Sequence, residues 1–250
     1  MKKFPLALQP YTIREELKSD YLGSLEKVAK LGYQGVELGL PPEGMTIEEQ
    51  KSHLDKFGLQ VIGSHGSLEK LTNDLDSIIS YLHTVGGKYV TLSSKFDTKQ
   101  EVLDQAKQFN SIGENCRKQG IQFLYHNHHW EFVQFDGKYA LDILLEETDP
   151  ELVKLELDTY WVKRGGEEPA QYLRKLKNRC PLLHIKDVEA GEEQFFAEIG
   201  EGILDFKEIA DVAEQIGTEW LVVEQDQSRR PVFESLEISQ RNLAKMGLIE

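Results

Sequence analysis

Four short apolar runs in the second half of the chain end in side chains that bind metal ions or move protons. Residues 123–128 end in His126 and His128, 154–158 in Asp158, 181–186 in His184 and Lys186, and 220–226 in Glu224 and Asp226. Side chains alternate along a strand, so residues two apart share a face, as Glu156 does with Asp158. A polar group at the end of an apolar strand is costly unless it pairs or binds something. Asp158, His184 and Glu224 are the best candidates for ligands to one divalent cation. Mixed carboxylate and imidazole donors suit Mn²⁺, Co²⁺, Zn²⁺ or Fe²⁺ better than Ca²⁺, with Mg²⁺ also admitted.

The stretch from His126 to Phe132 is the densest group of titratable side chains. Glu131 follows closely enough to fold back over the same mouth, as a fourth ligand or as an acid or base. His126, His128, Glu131 and Glu224 are the candidates for moving a proton. His65 ends another apolar run, and Gly66 beside it gives close access. His65, Gln9, His126, Trp161 and Lys186 are the expected substrate contacts, with Trp130 and Trp161 as an apolar wall for a sugar face. The backbone of residues 198–202 suits a phosphate, but the flanking Glu198 and Glu201 favour a loop that shapes the pocket.

These residues need elements to position them. Strand-like runs at 6–9, 35–38, 59–64, 89–93, 121–128, 153–158, 182–185 and 220–224 alternate with helical spacing at 21–31, 46–57, 67–85, 98–119, 139–147, 169–177, 206–216 and 232–246. Gly32, Gly58, Gly120 and Gly217 stand where helices must stop. Short apolar strands alternating with helices predict a parallel sheet covered on its outer face, and eight units predict a closed α/β barrel, (β/α)₈, as one domain over 1–250. An open doubly wound sheet is the rival, weakened because no glycine-rich dinucleotide fingerprint follows the first strand. Chemistry in such a barrel sits at the carboxyl ends of the strands, where these residues fall.

The formal charge of −14 argues against nucleic acid and anionic membranes as partners. No stretch approaches the roughly 18 apolar residues of a membrane span, and the N-terminal residues read as a strand rather than a signal peptide. Cys116 and Cys180 have no ligand spacing. A cytoplasmic protein is expected, with a small molecule as partner and a homo-oligomer compatible with the sequence.

The chain resembles the xylose-isomerase-like TIM-barrel proteins described as sugar phosphate isomerase/epimerase. The resemblance spans essentially the whole chain. It rests on residues 8–14, 32–38, 125–132, 157–161, 184–187, 199–202 and 223–226. It implies a divalent metal, often manganese, held by Glu, Asp, His and Glu from strands five to eight. Asp158, His184 and Glu224 match the last three positions. The strand-five position departs from the pattern, because His126 stands where glutamate is usual. Either His126 takes that role or Glu131 reaches back to fill it, and the departure resembles the inosose dehydratase branch.

The expected function is therefore that of a metal-dependent isomerase, epimerase or dehydratase of a keto sugar, keto-inositol or related polyol. It would work through a metal-stabilised enediolate. The alternatives are a noncatalytic sugar-binding barrel or a phosphoesterase similar to endonuclease IV.

Overall fold

The computed structural model describes residues 2–249, so Met1 and Glu250 of the expected 1–250 domain lie outside the described residues. Eight parallel strands close into a barrel: β1 Leu6–Leu8, β2 Gly35–Glu37, β3 Gln60–His65, β4 Tyr89–Leu92, β5 Gln122–His126, β6 Val153–Asp158, β7 Leu182–Ile185 and β8 Trp220–Val223. Each pairs with its sequence neighbours, and β8 closes on β1 with Leu6 beside Leu221. The closed order excludes the open doubly wound sheet.

Alternation divides each strand between two environments. Phe123, Tyr125, Leu155, Leu157, Leu183 and Ile185 point outwards and pack under the helices. The opposite faces meet inside the barrel, where Ala7, Ile62, Tyr89, Leu124, Leu182 and Val222 form a separate apolar layer with Trp220. Gly35 makes room for that layer, since a Cβ there would sit 2.8 Å from the Trp220 ring and 2.9 Å from Ile62. One step up each strand the interior turns polar, with Glu37, His126, Glu156, Asp158 and His184 all buried. The apolar layer is thus the floor of a polar mouth.

Local chemistry sets the helix boundaries. Thr46 and Glu49 form a capping box at the start of Ile47–Phe57, and Gly58 ends that helix at φ 77°. The helical pattern over 67–85 divides at Asp74 into Leu68–Asn73 and Leu75–Val85. Two short helices, Arg14–Ser19 and Thr159–Arg164, were not anticipated, because each is too short to show a full apolar period. β5 stops at His126 rather than continuing to residue 128. Asn127 turns the chain out of the barrel, its side-chain oxygen accepting from the backbone N–H of Asp158 at 3.0 Å.

Candidate active site and metal centre

Register brings the strand tips together. His126 lies beside Glu156, and Asp158 beside His184, across neighbouring strands. Glu224 directly follows β8. One donor atom from each of His126, Asp158, His184 and Glu224 lies within 4.8 Å of the others. A second set, Glu37, His65, Glu156 and His184, meets the same limit. His184 belongs to both through different nitrogens: Nδ1 is 3.1 Å from Glu224 Oε2, and Nε2 is 2.7 Å from Glu37 Oε2.

Asp158 divides its work. Oδ1 accepts from the backbone N–H of Trp161 at 3.0 Å and caps the helix Thr159–Arg164. Oδ2 is buried without a hydrogen-bond partner, although Lys186 Nζ lies 3.1 Å away. Lys186 itself is fully buried, with Nζ also 2.9 Å from both Glu224 Oε2 and Asp226 Oδ1. Its ammonium lies 5.2 Å from the Trp161 ring centroid.

The electrostatics follow from burial set against these neighbours. Burial alone would neutralise Lys186, but Asp158, Glu224 and Asp226 outweigh it and raise its pKa. Burial likewise opposes the charge on Glu224, yet Lys186 and His184 hold that carboxyl well below the ordinary range. Glu156 is held low in the same way by His184 and His65. Desolvation opposes the charge on His65, which is about a third exposed at the mouth, but Glu37 and Glu156 raise it to about 10. His128 goes the other way: burial, with the positive potential of His126 and Lys186, lowers it to about 2 and keeps its imidazole neutral. Its ring stacks on Trp130 at 4.0 Å and lies 5.4 Å from Trp161.

Glu131 is not among the converging groups. Tyr125, whose ring lies in the outer layer, donates to its Oε1 at 2.6 Å, and the backbone N–H of His128 donates to Oε2 at 2.8 Å. Glu131 therefore bolts the loop after β5 to the back of the barrel wall, and the strand-five side chain that converges with Asp158, His184 and Glu224 is His126. Gln9 reaches the mouth, its Nε2 donating to Glu37 Oε2 at 3.0 Å. The loop after β7 is no phosphate cradle: the N–H groups of Gly200, Gly202 and Leu204 donate to the Asp187 carboxylate. A Cβ on Gly202 would meet Asp187 at 2.3 Å, so only glycine fits there.

Sequence reasoning passed over three members of this centre as site residues, Glu37, Glu156 and Asp226. Glu156 carried a signal, because alternation puts its carboxylate on the same face as Asp158, two residues on.

Comparison with known proteins fits this arrangement. The xylose isomerase-like TIM barrel family matches residues 25–245. The chain belongs to that family. An inosose dehydratase of Lacticaseibacillus casei is 25% identical over 247 residues, covering 82% of this chain and 81% of that protein. The crystal structure of a sugar phosphate isomerase/epimerase from Parabacteroides distasonis superposes with a TM-score of 0.86 at 25% identity, over 100% of this chain and 96% of that one. The IOLI protein, solved with a bound zinc atom, has a TM-score of 0.75 at 15% identity, covering 97% and 98%. This family member is an enzyme of the isomerase/epimerase or dehydratase type. Among the described residues, no helix is long and apolar enough to cross a membrane.

Proposed function

We propose that the protein is a divalent-metal-dependent lyase that dehydrates a keto-inositol or a closely related keto sugar. The observation that carries the reading is the convergence of His126, Asp158, His184 and Glu224 beside a buried ammonium. The donor set fits a divalent ion: two carboxylates and two imidazoles, with Asp158 Oδ2 buried and lacking a hydrogen bond. Manganese is the metal we favour. When bound, the ion supplies Lewis acidity to a substrate carbonyl and so acidifies the adjacent C–H.

The chain's own groups carry the rest. His128, whose Nδ1 is buried without a hydrogen-bond partner, is the group we assign to take the proton from that carbon. Lys186, held cationic, donates hydrogen bonds to oxygen as negative charge develops on it. Delivery of the proton from His128 to the β-hydroxyl as its C–O bond breaks releases water, leaves a carbon–carbon double bond and returns His128 to its starting form. Trp161 and Trp130 offer flat apolar faces to the substrate ring, and Gln9 and His65 edge the mouth. Return of the proton to carbon would give epimerisation instead, a second reading favoured by the likeness to the Parabacteroides distasonis protein.

The test is incubation with a keto-inositol in D₂O, followed by NMR. We expect loss of the C–H signal next to the carbonyl and appearance of an unsaturated product. Both should stop after EDTA treatment and return with Mn²⁺. Undiminished turnover by thoroughly demetallated protein would overturn the proposal.

A further inference from the structure

The second donor set has the geometry of a ligand shell in its own right. Glu37 Oε2, His65 Nε2, Glu156 Oε2 and His184 Nε2 form a closed ring with successive separations of 3.3, 3.0, 3.3 and 2.7 Å. Donors bound at about 2.1 Å and spread between octahedral and tetrahedral angles stand roughly 3.0–3.4 Å apart. Three of the four edges fall in that range.

Hydrogen bonding accounts for the ring only at Glu37 Oε2, which lies 3.0 Å from Gln9 Nε2, 2.7 Å from His184 Nε2 and 3.3 Å from His65 Nε2. Both oxygens of Glu156 are buried and lack a hydrogen-bond partner, although imidazole nitrogens of His65, His126 and His184 lie 3.0–3.3 Å from Oε2. Glu37 Oε1 is likewise buried and unpartnered. A buried carboxylate left in this condition is destabilising unless an ion satisfies it. The two sets also differ in their fixed charge. Lys186 compensates Asp158 and Glu224, whereas among the described residues the ion-pair partners of Glu37 and Glu156 are imidazoles alone.

We propose that Glu37, His65, Glu156 and His184 bind a second divalent cation, of the Mn²⁺, Co²⁺ or Zn²⁺ class that two carboxylates and two imidazoles suit. The site adds to the first donor set proposed above and shares His184 with it. Nδ1 serves the first ion and Nε2 the second. The side chain of His65, 32% exposed, gives the ion a route in from the mouth.

The experiment loads metal-free protein with Co²⁺ alone, removes loosely held ions by gel filtration, and counts cobalt per chain by mass spectrometry. His65→Ala, Glu156→Gln and Asp158→Ala are treated in parallel, with circular dichroism to verify folding. We expect two equivalents in the unaltered protein and one in each variant. One equivalent that survives in both His65→Ala and Glu156→Gln but is lost in Asp158→Ala would overturn the second site and leave the first intact. One equivalent lost in His65→Ala and kept in Asp158→Ala would support the second site and overturn the first. No retained cobalt would overturn both.

Discussion

Two glutamates lie buried near the carboxyl ends of β5 and β6, and they have opposite fates. Glu131 sits behind the barrel wall, where the Tyr125 hydroxyl and the N–H of His128 satisfy its oxygens. Burial dominates there, and its pKa rises to about 7. Glu156 sits inside the wall with no hydrogen bond to either oxygen, and its imidazole neighbours keep it ionised. The difference is not depth, since both side chains are fully buried. What separates them is the side of the barrel wall on which they lie, Glu131 in the loop behind it and Glu156 on the inward face of β6. Outward groups find fixed partners in the helical layer, whereas inward groups meet one another and are left to bind an ion or a substrate.

The comparison can be sharpened by removing the inward cation. Lys186→Met should lower kcat by about 10²–10³-fold, as loss of a preorganised donor to developing negative charge does. Turnover by the Mn²⁺-loaded variant, with folding verified by circular dichroism, is the measurement. A change confined to KM would make Lys186 a binding group only.

A smaller effect is expected on the outward side. Between pH 4.5 and about 7 the folded chain keeps a proton on Glu131 that the unfolded chain has lost. Native Glu131 therefore costs stability as pH rises through that window, by roughly 3 kcal/mol in total, with no further loss above it. Glu131→Gln never ionises, so urea midpoints of the metal-free variant should pull ahead of the unaltered protein from pH 4.5 to 7. Parallel stability profiles would show that Glu131 is ionised in the fold.

Much of this was legible in the chain. Eight apolar runs separated by helical spacing and glycine stops predict the barrel, and the strand tips predict Asp158, His184 and Glu224 as neighbours, which register then explains. The choice between His126 and Glu131 was not legible. It turns on one event, the exit of β5 after His126, which depends on Asn127 bonding to Asp158 far along the chain. Strand periodicity has no access to a contact of that kind. Glu156 was readable from alternation but stood in the shadow of the strand-tip Asp158. His65 was legible as a group at the barrel mouth but not as a neighbour of Glu37 and Glu156, since single polar tips on β2 and β3 give no repeated pattern. Only closure of the barrel brings them opposite β6 and β7.

The most direct test of inward against outward is a Mn²⁺ binding titration of Asp158→Ala and Glu131→Gln beside the unaltered protein. We expect Asp158→Ala to lose more affinity than the roughly 100-fold that removing an outer partner costs at most, and Glu131→Gln to bind as the unaltered protein does. Unchanged affinity in Asp158→Ala, or loss of binding in Glu131→Gln, would contradict an ion held at the inward face of β5 to β8.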